Sequence, residues 1–367
     1  MAPQVTRSSQ LLDLAVGQPD PALLPVDQFQ NCSVNASRLA YGEQTGDASF
    51  RKALASWLSE DYGQPVHADR LLLTNGSSNA LDMVCTQFGR PGATVLVEDP
   101  SYFIAMDLFR ERGMNVVAVP MDDEGINLAA LEQAIDQYQP NFFYTVPSFH
   151  NPTGVTQPLQ RRNDLVALCA RTQCPIIADE IYQSLYFTQK PPRPLAMFDD
   201  DAPVVSIGSF SKILAPGLRL GWIQGTEAIV SRFGNAALLR SGGGLAPVTS
   251  ALVEPLLLNG EFEQTLNRLR QIYSERADCL YHSLEAAFGE QIHMVRPDGG
   301  FFIWLSFVDG RDVSNYQEAA KQAGVNFLPG QLCSENNGFQ SSMRLCFAWY
   351  SEPQLQEACN RLASVLA

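Results

Sequence analysis

The stretch Val204-Val-Ser-Ile-Gly-Ser-Phe-Ser-Lys-Ile-Leu-Ala-Pro-Gly-Leu-Arg-Leu-Gly-Trp222 passes from a β-branched segment into one rich in Ser, Gly and Pro. That change marks the end of a strand and the start of a loop, and it leaves Lys212 just past the strand. A lone loop lysine is ordinarily a solvated charge of high pKa. Its neighbours admit a second reading. Ser209 and Ser211 offer hydroxyls, Gly208, Gly217 and Gly221 let backbone come close, and Arg219 carries a rigid guanidinium fork suited to a phosphate. A cationic neighbour and partial burial both favour the neutral, nucleophilic form of an amine, so Lys212 is a candidate Schiff-base lysine.

Outward from Lys212, short apolar runs alternate with helical patterns. Arg70-Leu-Leu-Leu-Thr74, Ala93-Thr-Val-Leu-Val97, Val116-Val-Ala-Val119, Asn141-Phe-Phe-Tyr-Thr-Val146 and Pro175-Ile-Ile-Ala-Asp179 read as buried strands. Between them, Leu128 to Tyr138 reads as a helix, as does the segment with apolar Phe50, Leu54, Trp57 and Leu58. This alternation predicts an α/β fold with a mainly parallel, doubly wound sheet and a site outside the carboxyl ends of its strands.

Several residues at those ends carry chemistry. Asn75-Gly-Ser-Ser78 opens a helix whose first N–H groups are free and whose positive end favours an anion, although a plain serine cap would look the same. Asp179 ends an apolar strand, where an unpaired carboxylate is costly to bury, so it needs a cationic partner. Arg344, inside Ser342-Met-Arg-Leu-Cys-Phe347, needs a carboxylate from the protein or from a substrate. His150, in Phe149-His-Asn-Pro-Thr-Gly154, reads as a structural histidine that supports its neighbours rather than as a base. Leu12 to Pro25 carries too much Pro and Gly for a helix and is expected to run as an extended arm. Ala228 to Leu239 and Glu263 to Phe288 read as helices, with the glycine run Gly242-Gly-Gly244 a connector or an interface loop.

Composition narrows the class of function. With 367 residues, 46% hydrophobic and 17% charged, the chain can bury a large core and accommodate two domains. A formal charge of −14 argues against nucleic acid or anionic lipid as a partner and favours a small-molecule substrate. The eight cysteines are scattered without a CxxC pair and read as free core thiols, with neither a disulfide framework nor a zinc site expected. The N-terminus lacks an apolar signal core, no apolar run reaches membrane-spanning length, and a cytoplasmic location is expected.

Taken together, Ser-Phe-Ser-Lys212, Pro-Gly-Leu-Arg219-Leu-Gly-Trp, Asn151-Pro-Thr-Gly, Asp179-Glu-Ile-Tyr182 and Met-Arg344-Leu-Cys-Phe resemble the pyridoxal-phosphate enzymes of fold type I. Specifically, they resemble the aminotransferase class I/II family, and most closely its branch of 2-aminoadipate and kynurenine aminotransferases. The resemblance covers nearly the whole chain and implies that Lys212 carries the cofactor aldehyde and that Arg219 holds its phosphate. It further implies a phosphate cup at Gly76, Ser77 and Ser78 with Ser209, and a ring stacked by Tyr102. Asp179 would meet the pyridinium nitrogen, while Asn151 and Tyr182 would bond the phenolic oxygen. Gly17 would lie over the substrate carboxylate, which Arg344 clamps. Tyr41, in Tyr41-Gly-Glu-Gln-Thr-Gly46, would reach the partner subunit's cofactor phosphate, so a homodimer is implied. The implied domains are an arm at 1–37, a large cofactor-binding domain at 38–265, and a bridging helix with a small α+β domain at 266–367; the short arm leaves no room for a DNA-binding domain ahead of the catalytic part.

The activity so implied is transfer of an amino group from an L-amino acid to a 2-oxo acid, through a Lys212 aldimine, in a ping-pong sequence. Two rivals share these residues. A β-lyase, decarboxylase, cyclase or oxidase would break a different bond on the same cofactor, and a regulatory protein would bind the cofactor without turnover. Phe29, Phe149, Phe301 and Phe302 hint at an aromatic or long aliphatic substrate, though phenylalanines are also ordinary core.

Overall fold

A computed structural model of the chain describes residues 10–30, 32–198 and 202–367. The start of the expected arm, residues 1–9, lies outside them. The strands are β1 (Leu12–Asp13), β2 (Leu71–Thr74), β3 (Thr94–Asp99), β4 (Asn115–Asp122), β5 (Gly125–Ile126), β6 (Phe142–Thr145) and β7 (Ile176–Asp179). They continue with β8 (Val204–Ser209), β9 (Gly221–Gln224), β10 (Ile292–Met294), β11 (Phe302–Phe307), β12 (Val325–Asn326), β13 (Leu328–Pro329) and β14 (Ser342–Cys346). The helices are α1 (Ala48–Tyr62), α2 (Ser77–Phe88), α3 (Phe103–Glu111), α4 (Leu128–Tyr138), α5 (Leu159–Thr172) and α6 (Glu227–Gly234). After them come α7 (Ala237–Gly242), α8 (Pro247–Asn259), α9 (Glu261–Phe288), α10 (Gln317–Gln322) and α11 (Glu352–Leu366).

Eight strands form the central sheet in the order β2-β9-β8-β7-β6-β3-β4-β5. The pairs β4–β3–β6–β7–β8 are parallel, and β9 and β5 run against their neighbours. Successive side chains of a strand face opposite sides, and the core splits accordingly. Val95, Val97, Phe142, Tyr144, Ile177, Val205 and Ile207 join one hydrophobic cluster. Leu96, Phe143, Ile176, Ala178 and Val204 join another, on the far face. Burial on both faces explains why the strands read as unbroken apolar runs rather than as alternating patterns. A second sheet, β10-β11-β14-β13, is antiparallel throughout, and β1 pairs in parallel with β12.

The sheets are joined by α9, which is two residues longer at its start than the sequence suggests. Its Arg276 donates to Asp20 at 2.8 Å and to the Ala348 carbonyl at 2.8 Å, pinning the arm and the segment after β14 to one helix. The arm is extended only at its beginning. Asp20 accepts from the Ala22 amide and caps a short 3-10 turn at Pro21–Leu23, and two more such turns follow before residue 40. The expected helix over Ala228 to Leu239 is broken at Asn235–Ala236, where Ala236 is extended with ψ 142°. Gly234 and Asn235 are poor helix formers, and their neighbouring turns close on themselves instead.

Among the described residues no helix is long and apolar enough to cross a membrane, and no cluster of His, Cys, Asp and Glu could hold a metal ion. All eight cysteines are free, and six of them are buried.

Candidate active site

β2, β3, β6, β7 and β8 run in the same direction, so their carboxyl ends lie along one edge of the central sheet, and the candidate residues follow those ends in the chain. β7 runs Ile176-Ile-Ala-Asp179 fully buried, so its last residue arrives as a carboxylate with little water around it. Asp179 Oδ2 accepts from the Tyr144 hydroxyl at 2.9 Å, while Oδ1 is buried without a hydrogen-bond partner. Desolvation raises its pKa to about 6, against the pull of Tyr144, Lys212 and the Ile181 amide. An acceptor of this kind fits a proton-bearing ring nitrogen.

Lys212, past the end of β8, donates from Nζ to the Gly17 carbonyl at 2.7 Å and lies 5.4 Å from the Phe301 ring. The residue as a whole is half-buried. Burial pulls its pKa down to about 8, and Arg344 and Arg219 lower it further while Cys346 and Asp179 oppose the shift. At this pKa a substantial fraction of the amine is neutral near neutral to mildly alkaline pH, as a nucleophile or proton carrier requires.

The anion cup forms where β2 turns into α2. Gly76 sits at the helix N-cap with φ 82°, and no side chain caps the helix, so the amides at Ser77 and Ser78 are open to a ligand. A Cβ on Gly76 would come within 2.8 Å of Arg219 Nη2, which shows how closely the guanidinium lies over the turn. Arg219 is itself exposed and bonded only to the Pro216 and Asn75 carbonyls, at 3.3 and 3.4 Å, so its charge has no carboxylate partner among the described residues. Ser209 is buried and donates to Ser211 and to the Leu220 carbonyl.

Arg344, at the centre of β14, is 3% exposed and meets no carboxylate among the described residues. It donates to Asn151 Oδ1 and to the Ala15 carbonyl, both at 2.7 Å, and its Nε has no partner. Its guanidinium lies 4.0 Å from the Phe302 ring. Gly17 is forced to be small, because a Cβ there would stand 2.8 Å from that same ring. Because Arg344 takes the Asn151 oxygen, the Asn151 amide nitrogen is left to face the cleft. Tyr182 is buried against Phe301 and Phe302, and its hydroxyl makes no hydrogen bond to a described residue. Burial pushes it well above the ordinary phenol range. Tyr102 is raised to about 12 by burial and then by the Asp179 charge, which places it beside that carboxylate.

The structure therefore brings together Gly17, Gly76 to Ser78, Tyr102, Asn151, Asp179, Tyr182, Ser209, Lys212, Arg219 and Arg344. Tyr41 stands apart at 89% exposed, with no hydrogen bond to a described residue. Gly243 and Gly244 lie against the Gly42 to Gly46 backbone of this same chain, close enough that a Cβ on either would overlap it. Of the four phenylalanines, Phe149, Phe301 and Phe302 are buried at the cleft floor, and Phe29 packs at the edge of the main core. Sequence reasoning missed Tyr144, whose place in Phe-Phe-Tyr-Thr reads as plain strand, and Glu98, which is 1% exposed. A separate cleft of about 760 Å³, lined in part by Phe149, Phe302, Trp304 and Phe339, has neither Lys212 nor Asp179 in its wall.

Comparison with known proteins bears on this arrangement. The family model for "Aminotransferase class I and II" matches residues 9–362. Aromatic-amino-acid aminotransferase 1 of Thermococcus litoralis is 29% identical over 99% of this chain and 89% of its own length. The 2-aminoadipate transaminase of Thermus thermophilus is 30% identical over 99% of this chain and 92% of its own length. The crystal structure of Pyrococcus horikoshii kynurenine aminotransferase in complex with PMP superposes with a TM-score of 0.90 at 29% identity, covering 98% of this chain and 91% of that one.

Proposed function

Because the chain belongs to the aminotransferase class I and II family, we propose that it moves the amino group of an L-amino acid to a 2-oxo acid in two half-reactions at the cleft around Lys212. The cofactor is pyridoxal 5′-phosphate, and the residues present fit it. The observation that carries the reading is the orphaned, buried Oδ1 of Asp179 in the same cleft as a lysine of depressed pKa and an uncapped helix end under an unpaired arginine.

When bound, pyridoxal phosphate supplies an aldehyde that takes up the amino group and a protonated ring that draws electrons from the α-carbon. The amides at Ser77 and Ser78, with Arg219 and Ser209, would hold its phosphate. Asp179 would keep the proton on the ring nitrogen, and Tyr144 fixes the orientation of that carboxylate. The Asn151 amide and the Tyr182 hydroxyl would donate to the ring oxygen, and Tyr102 would cover the ring. Arg344 grips the substrate α-carboxylate with its fork, and Gly17 lets that group approach. Lys212 Nζ takes the α-proton and carries it across the cleft, which its lowered pKa permits near neutral pH.

The direct test follows the visible absorbance of the loaded protein. A single amino acid should bleach it and a 2-oxo acid should restore it; no bleaching with any of the common amino acids would exclude transamination. Arg344→Ala is expected to raise the KM for amino donors by about two orders of magnitude, as loss of a buried charge-assisted pair does, with a smaller change in kcat. An unchanged KM removes the clamp. Tyr41 would reach the phosphate of a partner subunit's cofactor, so light scattering should show a dimer, and a fully active monomer contradicts that role.

A further inference from the structure

The proposed reaction makes no use of Glu98, a carboxylate that is 1% exposed and ringed by polar groups of one loop. It is the next-to-last residue of β3, four positions before Tyr102. Its Oε1 accepts from the Thr145 hydroxyl at 2.7 Å and from Gln157 Nε2 at 3.1 Å. Its Oε2 accepts from the Val146 amide at 2.9 Å and faces His150 Nε2 at 3.2 Å. All four partners lie between residues 145 and 157, the loop that carries Asn151.

His150 Nδ1 lies 2.8 Å from the Thr153 hydroxyl and accepts from the Thr153 amide at 3.3 Å, which assigns the ring hydrogen to Nε2. The Nε2 contact with Glu98 lacks the alignment of an ordinary hydrogen bond and is electrostatic. Glu98 thus accepts three hydrogen bonds and has the His150 ring against Oε2. The turn is closed on itself as well: the His150 amide donates to the Val155 carbonyl at 2.8 Å, and the His150 carbonyl accepts from the Gly154 amide at 2.6 Å. Asn151, the next residue, has its oxygen taken by Arg344, which leaves its amide nitrogen as the group with hydrogens to donate.

We propose that Glu98 is a positioning residue that holds the 145–157 loop, through Thr145, Val146, Gln157 and the His150 ring, so that the Asn151 amide is aimed at the ring oxygen of the cofactor. The inference rests on the role given to Asn151 above. It implies a readout that a purely structural carboxylate would not move. A well-aimed donor to that oxygen lowers the pH at which the loaded protein changes colour, so loosening the aim raises that pH.

Glutamine at position 98 has one acceptor oxygen and must turn its amide hydrogens toward the donors that face the other carboxylate oxygen. Glu98→Gln is therefore expected to raise the pH midpoint of the visible absorbance change by more than about half a unit, and to raise the KM for amino donors by about fivefold. Should that variant fail to fold, the His150 pair decides. His150→Gln keeps a donor near the Nε2 position and His150→Asn does not, so the midpoint shift should be at least twice as large in His150→Asn. Midpoint shifts under about half a unit in Glu98→Gln, or equal shifts in the two His150 variants, overturn the proposal, even if melting temperatures fall. A wild-type chain that takes up no pyridoxal phosphate sinks the reading of the site itself, and this inference with it.

Discussion

Lys212→Ala is expected to lose turnover by about four orders of magnitude or more while keeping its fold and its capacity to take up pyridoxal phosphate. Covalent attachment and proton transfer both depend on the one amine, and no second lysine lies in the cleft to replace it. The remaining grip on the cofactor does not involve Nζ: it comes from the turn at Gly76 to Ser78, from Arg219 and from Asp179. Little stability should be lost. The substitution removes one hydrogen bond, to the Gly17 carbonyl, and with it a cation whose burial is already unfavourable, as its lowered pKa shows. Steady-state kinetics, with cofactor retention after gel filtration, check both halves. A small primary amine added to the variant should restore part of the proton transfer. Turnover within tenfold of wild type would mean that the amine at 212 is not the reacting group. Loss of cofactor together with the fold would mean that its role is structural.

Much of the site was legible because each residue sits where the local pattern changes. Lys212 and Asp179 stand at the ends of apolar runs, and a polar side chain at such a place either faces water or serves a ligand. Gly76 opens a helix, and Arg344 interrupts a strand that has no other reason to carry charge. The sheet was legible for the same reason, since Ile176-Ile-Ala and its companions have the length and composition of strands buried on both faces. What stayed hidden depends on pairs far apart in the chain. Tyr144 bonds Asp179 across 35 residues, and Arg276 meets Asp20 across 256. Neither partner differs locally from ordinary strand or helix. Glu98 looks like the start of a turn, and only the folded loop at 145–157 reveals three donors and the His150 ring around it. The break after Gly234 escaped because one glycine and one asparagine weaken a helix without forbidding it.

Asp179→Asn separates what the carboxylate does for catalysis from what it costs the fold. The side chains have the same shape, and the asparagine oxygen can still accept from Tyr144, so the site should keep its geometry. The charge that holds a proton on the ring nitrogen is gone, however, and turnover should fall by about three orders of magnitude or more. Stability of the cofactor-free protein should respond in a different way. In the folded chain Asp179 titrates at about 6, above its usual 3.8, so between these values the folded state holds a proton that the unfolded state has released. Wild-type stability must therefore fall as pH rises through that window, by about 3 kcal/mol at most, and stay lower above it. The asparagine variant has no such proton to lose. Glu180, raised to about 7 mainly by burial and in part by the Asp179 charge, adds a slope of the same sign in both proteins and a smaller one in the variant, which widens the divergence. Urea melts of the two cofactor-free proteins at pH 4, 5, 6 and 7 should diverge with rising pH, the variant becoming the more stable relative to wild type. With pyridoxal phosphate bound, the cation opposite Oδ1 should abolish or reverse that advantage. Parallel curves with near-normal turnover in the variant would show that no positive charge is held at position 179.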